Sequence, residues 1–312
     1  MKRSKNNVLP LVLWSSLLFG LSMGCELIVD IDVPEHEPAI TLNCFFNTDT
    51  TFSVYLAEDR FILDNSPDFK PIPDATVTLY ADGISMGQFL PSDSIEGIYQ
   101  LAIQPGRGVS YRITAEHPGY ATVESTDQIP MSLVDAEIRS LEKRASNYDD
   151  LIELTYAISD TPGMDFYETV LYREERLYDY YEDEDTSYIY PIGVYLQEIS
   201  YSKAGASLNE FEDYERPNLF SDELFDGRET EIRIEFYHYQ YYNPTDQPDS
   251  VRYFLNVRHV SENYYRYTTT KELQSSVDDN PFAQAAQVYT NITNGYGVFA
   301  GYNSMEISFK LP

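Results

Sequence analysis

Ala75-Thr-Val-Thr-Leu-Tyr-Ala-Asp-Gly-Ile-Ser-Met-Gly-Gln-Phe-Leu90 places two extended runs on either side of an Asp-Gly pair. Val77 and Leu79 alternate with Thr76, Thr78 and Tyr80, the period-two pattern of a half-buried strand. Asp82-Gly83 is a strong hairpin signal, because a two-residue turn of this kind needs positive φ at both positions. Outward from this hairpin the unit repeats. Ala39 to Phe46, Thr51 to Leu56, Gly97 to Ile103, Val109 to Glu116 and Tyr120 to Ser125 are strand-like, with turns at Pro105-Gly106 and His117-Pro118-Gly119. About seven short strands in about 95 residues predict a β-sandwich.

Ile129-Pro130-Met131 marks the expected boundary between an N-terminal sandwich over residues 39–130 and a C-terminal mainly-β domain over residues 131–312. In the second part Ala136 to Arg144, Leu151 to Ser159, Phe166 to Leu177, Tyr188 to Gln197, Thr230 to Tyr241 and Ser250 to Val260 read as strands. Asp160-Thr161-Pro162-Gly163 reads as a turn. One helix is expected, from Ser261 to Ser275, with Ser261 as its cap and Tyr264, Tyr267, Thr268 and Leu273 on one face. The fold class is therefore mainly β, two sandwich-like domains, the second with a short helix.

The chain opens on Lys2, Arg3 and Lys5, then an apolar run from Val8 to Leu21. That run is short of the roughly 20 residues a bilayer-spanning helix needs. Ser22-Met23-Gly24 set small residues ahead of Cys25, which predicts a signal peptide over residues 1–24 and lipidation of the Cys25 thiol. Leu21 stands four residues before Cys25, where a lipobox usually has its leucine at three. An ordinary secretory signal with an incidental cysteine is the competing reading. Residues 25–38 then form an acidic tether carrying Glu26, Asp30, Asp32 and Pro34. Two or more acyl chains give stable anchoring, so the chain is expected to be lipid-anchored at a membrane, on a face the sequence leaves open.

Lys and Arg number 21 against 51 Asp and Glu, a net charge of −30. This balance argues against a nucleic-acid partner, whose phosphates are bound by basic side chains. It also disfavours docking on anionic lipid, which leaves the acyl chains as the membrane contact. With Cys25 lipidated, Cys44 is the remaining cysteine, so no intrachain disulfide is expected. Cys44 sits in an apolar run and reads as a buried, inert thiol. Tyrosine is over-represented, 28 residues against one Trp. It favours strands and surfaces with one wet side.

Candidate chemistry is sparse. Gly83-Ile84-Ser85-Met86-Gly87 has the letters of a nucleophile elbow, but that motif needs a strand-to-helix turn and here follows a hairpin into another strand. His36, His117, His238 and His259 are scattered, with no pair at metal-ligand spacing. Glu182-Asp183-Glu184-Asp185 is the densest acidic run, yet it lacks the glycine and spacing of an EF-hand loop and reads as a solvated loop. A carboxylate pair could hydrolyse a glycoside, but 51 acidic residues give no basis for selecting one. No catalytic residue, metal site or cofactor is expected. Tyr178, Tyr180, Tyr181, Tyr237, Tyr239, Tyr241 and Tyr242 are the candidate ligand or partner surface, since rigid tyrosines recur at interfaces. Core packing and ordinary strand faces account for at least half of the tyrosine clusters.

Ser261-Glu-Asn-Tyr-Tyr-Arg-Tyr267, Asp279-Asn-Pro-Phe-Ala283 and Val288-Tyr-Thr-Asn-Ile-Thr-Asn-Gly-Tyr-Gly-Val-Phe-Ala-Gly-Tyr302 resemble the bacterial lipoprotein family catalogued as domain of unknown function 4249. Pro71-Ile-Pro-Asp-Ala-Thr-Val-Thr-Leu79 is similar to that family too. By the order Pro73-Asp-Ala-Thr-Val-Thr-Leu79, a turn, Gly97-Ile-Tyr99 and Tyr111-Arg-Ile-Thr-Ala-Glu-His-Pro-Gly-Tyr120, the N-terminal module resembles carboxypeptidase regulatory-like and related immunoglobulin-like domains, which carry no catalytic residues. The family resemblance implies an outer-membrane lipoprotein encoded beside TonB-dependent receptors, and it transfers no catalytic residue. Gly295, Gly297 and Gly301 are expected to permit positive φ or close backbone approach, while Phe282, Tyr289 and Phe299 are expected in the core. The function expected is a non-enzymatic binding or accessory subunit of a TonB-dependent nutrient-uptake system, its ligand unspecified. A structural or adhesive surface protein and a surface hydrolase are the alternatives.

Overall fold

The Asp82-Gly83 pair forms the expected hairpin: both residues have positive φ, 48° and 82°, and they turn β3 (Thr76–Ala81) into β4 (Ile84–Gln88). The structure is a computed structural model that describes residues 37–61, 69–145, 150–181, 186–201, 218–238, 251–278 and 286–311. The other strands of the first half are β1 (Ile40–Phe46), β2 (Phe52–Glu58), β5 (Leu90–Pro91), β6 (Ile98–Leu101), β7 (Ser110–Glu116) and β8 (Val123–Gln128). The second half contains β9 (Ala136–Ala145), β10 (Asp150–Ser159), β11 (Phe166–Tyr181), β12 (Thr186–Gln197), β13 (Ser200–Tyr201) and β14 (Leu219–Ser221). It continues with β15 (Glu229–His238), β16 (Arg252–Val260), the helix α1 (Glu262–Asp278) and β17 (Tyr296–Phe309).

These strands form a nine-stranded sheet and two four-stranded sheets. The large sheet runs β12-β11-β16-β17-β1-β2-β6-β5, with β14 also paired to β11. The smaller sheets are β4-β3-β7-β8 and β13-β15-β10-β9. Two cores explain the layering. Ile40, Leu42, Phe46, Phe52, Val54 and Leu56 of the large sheet pack with Val77, Leu79, Ile113 and Val123 of the first small sheet. Leu171, Tyr253, Leu255 and Val257 of the large sheet pack with Ile152, Leu154, Tyr156, Ile232 and Ile234 of the second. Each four-stranded sheet thus covers one half of the nine-stranded sheet, and the chain is mainly β with sandwich-like layers. Pro38–Pro312 forms one compact unit.

The strand that joins the halves is β17. It lies parallel to β1, with Leu42 opposite Gly297 and Cys44 opposite Phe299. On its other side it is antiparallel to β16, with Leu255 opposite Ile307. The glycine-rich run is therefore an interior strand, and its glycines act as the sequence predicts: Gly297 takes positive φ, and Gly297 and Gly301 meet main-chain atoms closely. Alternation along a strand sends successive side chains to opposite faces. Phe299 goes into the first core, where its ring stacks on Phe46 at 4.6 Å between centroids, and Ile307 packs against the second core. Val298 and Ala300 face the other way, into a third cluster with Tyr264 of α1.

Glycine is required in this strand. Gly297 has φ +98°, and a Cβ there would lie 2.2 Å from the Leu42 carbonyl oxygen. Asn291 ties β17 down outside the ladder: its Oδ1 accepts from Phe299 N at 3.0 Å and its Nδ2 donates to Phe299 O at 2.8 Å. The helix begins as expected, with Ser261 Oγ accepting from Tyr264 N at 3.2 Å. Its buried face holds Tyr264 and Tyr267, which sit against Phe45, but Leu273 is exposed at 40%. Thr268 is half-buried. Asp127 accepts from Ser261 Oγ at 2.5 Å, from Asn263 Nδ2 at 3.1 Å and from Gly301 N at 2.9 Å, pinning β8 to the helix start and to β17. Burial pushes the Asp127 carboxyl up, and those hydrogen bonds work against the rise. Cys44 is buried, and that burial pushes its thiol well up, as an inert core thiol requires. Tyr289 is half-buried, its hydroxyl donating to Asn263 Oδ1 at 2.7 Å. Phe282 lies outside the described residues.

Candidate functional site

The tyrosines singled out from sequence fall on two sheets. Tyr237 is on β15 of a small sheet and is 48% exposed. Tyr178, Tyr180 and Tyr181 are on the far end of β11 in the large sheet, where their backbones stand opposite Ile189, Ser187 and Thr186 of β12. Tyr239, Tyr241, Tyr242, the acidic run 182–185, Cys25 and His36 lie outside the described residues. In the second half of β12, Ile192, Val194 and Leu196 are exposed by 54%, 60% and 69%. Their period of two puts them on one face of β12, an end strand of the large sheet among the described residues. Val194 and Leu196 stand opposite Glu174 and Tyr172. An apolar stripe on an end strand has no counterpart in the sequence reading, because a run such as Tyr-Pro-Ile-Gly-Val-Tyr-Leu reads equally well as core.

A second feature is a set of carboxylates. Asp160 directly follows β10 and opens the connection Asp160-Thr161-Pro162-Gly163, which bends at Pro162 and Gly163. Asp165 ends that connection, directly before β11. Asp222 follows β14 and joins the same place because Phe166 pairs with Ser221 and Asp222 N donates to Asp165 O at 3.1 Å. One carboxylate oxygen from each of the three lies within 4.8 Å of the other two. Asp160 Oδ1 accepts from Tyr167 OH at 2.6 Å, and its Oδ2 accepts from Gly227 N at 2.6 Å. Asp165 Oδ1 stands 2.9 Å from His259 Nε2, and its Oδ2 accepts from Thr161 Oγ1 at 3.3 Å. Asp222 is 1% exposed, and its Oδ2 has no hydrogen-bond partner.

The electrostatics of this corner are one-sided. Burial pushes the Asp222 carboxyl up; the Asp165 backbone amide opposes the rise, and the charges of Asp160, Asp165 and Asp226 add to it. Tyr167 is pushed up by burial first and then by Asp160, Asp165 and Asp222. Among the described residues no lysine or arginine forms an ion pair with Asp160, Asp165, Asp222 or Asp226. Sequence reading missed this set, because the three aspartates come from segments about sixty residues apart and stand among 51 acidic residues. His259, read as scattered, is 2% exposed and belongs to the set's margin. His238 contacts Tyr253 OH at 2.7 Å through Nδ1 and is structural.

On the helix-facing side of the large sheet, Arg258 Nη1 meets Glu168 Oε2 at 2.7 Å, directly across the β11–β16 ladder. Tyr264 OH donates to the same Glu168 oxygen at 2.8 Å, and Arg258 Nη2 donates to Tyr172 OH at 3.0 Å. This cluster fastens α1 to the sheet. The Gly83-Ile84-Ser85-Met86-Gly87 letters fall on the β3–β4 hairpin, followed by a strand and no helix.

A family profile described as Domain of unknown function (DUF4249) matches residues 27–308. The chain belongs to this family. In this DUF4249 protein the match begins ahead of β1 and runs to the penultimate residue of β17, so it includes the strand that closes the large sheet. The motifs quoted at the C-terminus have structural roles in DUF4249 here: Ser261 caps α1, Asn291 holds Phe299, and Gly297 allows β17 to approach β1. No curated protein shows significant similarity to the chain.

Proposed function

We propose that this DUF4249 protein is an outer-membrane lipoprotein, held by lipid on Cys25, that works without chemistry as a binding or accessory subunit of a TonB-dependent nutrient-uptake system. The observation that supports contact over catalysis is the exposed apolar stripe Ile192, Val194 and Leu196 on the end strand β12. An end strand presents unpaired backbone groups that another chain can extend. Apolar side chains beside that edge add area to bury. Lipid anchoring confines the protein to the plane of the membrane and raises its effective concentration at a receptor there.

Two measurements test this reading. Cys25→Ala is expected to release the protein from the membrane fraction and to abolish palmitate labelling; membrane retention of the unlabelled variant would refute lipid anchoring. A mild-detergent pull-down of the tagged protein is expected to recover a TonB-dependent receptor in near-equal amount, and Val194→Glu is expected to lose it. Recovery of the lipoprotein alone would instead favour a free-standing adhesive or structural role.

A further inference from the structure

We propose that Asp160, Asp165 and Asp222 together bind one divalent cation of the Ca2+ class. Three oxygens no more than 4.8 Å apart leave a point at most about 2.8 Å from all of them. Bringing them onto Ca2+ at roughly 2.3–2.6 Å takes a few tenths of an ångström, whereas Mg2+ at roughly 2.0–2.1 Å demands a larger contraction. The donor set is all oxygen, which suits a hard cation better than Zn2+. Waters and main-chain carbonyls would complete six to eight ligands.

The independent observation is Asp222. A buried polar atom without a partner is rare in a folded protein, and Asp222 Oδ2 is such an atom in a residue 1% exposed. The neighbouring carboxylates cannot satisfy it, since ionised carboxylates only accept hydrogen bonds. A cation supplies the missing partner and offsets the mutual repulsion. The surroundings are those of an outer shell that orients ligands. Tyr167 OH and Gly227 N fix Asp160, while Thr161 Oγ1 and His259 Nε2 fix Asp165. Asp226 accepts from Gly163 N at 2.9 Å and steadies the two turns that carry the site. This inference is independent of the receptor reading.

The test uses the full chain in mild detergent, stripped with chelator. Tb3+ is expected to give tyrosine-sensitised luminescence, and CaCl2 to displace it one-to-one with a dissociation constant on the order of 10⁻⁴ M. CaCl2 is also expected to raise the unfolding temperature by several degrees. Asp222→Asn is expected to weaken Ca2+ at least tenfold, and Asp160→Asn reads the same loss should the first variant fail to fold. Replacing residues 182–185 by Gln and Asn is expected to leave the affinity unchanged. Absence of Ca2+ binding to the wild-type chain up to about 10 mM would overturn the proposal. So would affinity that survives in both aspartate variants or vanishes with the 182–185 run.

Discussion

Gly297→Ala is expected to cost at least about 3 kcal/mol, read as a lower urea midpoint at unchanged slope and a fall of roughly 5 °C in unfolding temperature. Two effects combine. The residue's φ of +98° is one that L side chains resist, and the added methyl would sit 2.2 Å from Leu42 O and 2.8 Å from Leu42 C. Those are main-chain atoms of β1, so no side-chain rotation relieves the overlap. The strand must move away, which strains the β1–β17 ladder between Thr41 and Phe46. Gly83→Ala supplies the control: its φ is +82°, but nothing lies within 4 Å of the new carbon. Its cost should be the backbone strain alone, about 1 kcal/mol. Equal losses at the two glycines would show that β1 and β17 separate freely, and the account of β17 as the closing strand would fail.

That strand also marks the limit of what the sequence could reveal. The first hairpin was legible because Asp82-Gly83 and the Val77/Leu79 alternation are local signals. The cap at Ser261 was legible for the same reason. By contrast, the pairing of Cys44 with Phe299 spans most of the chain, and local periodicity carries no information about it. Tyr296 to Phe309 was hidden further because glycines weaken a strand's sequence signal, even though Gly297 and Gly301 permit the close main-chain approach expected of them. Leu273 is exposed because nine residues at 3.6 per turn carry it about half a turn round α1 from Tyr264, so the two never share a face. The aspartate set was invisible for a reason of number: any of 51 acids could have been paired with any other. Only the β11–β14 register brings Asp222 beside Asp165.

The second large effect is expected at Arg258. Arg258→Met should destabilise the fold by about 3 kcal/mol, the lower end of the range for breaking a buried pair, because the two side chains retain 17% and 14% exposure. The variant takes away the guanidinium that meets Glu168 and leaves Tyr264 OH donating to that carboxylate at 2.8 Å. It also removes the guanidinium from Tyr172 OH, from Asn256 Oδ1 at 3.0 Å and from the face of Tyr302 at 5.1 Å. Burial alone would lower the Arg258 pKa, but Glu168, with Tyr264, Tyr302 and Tyr172, turns the net shift upward, so the guanidinium is held charged. The corresponding shift in Tyr264 is upward, from burial first and Glu168 second. If the pair is an electrostatic unit, Arg258→Met/Glu168→Gln should be more stable than Arg258→Met alone, since the uncompensated charge is gone. A double-mutant cycle by urea unfolding measures this coupling. Additive losses would mean that Arg258 acts through its packing on Tyr302 and not through its charge. The helix would then be held to the sheet by its tyrosines.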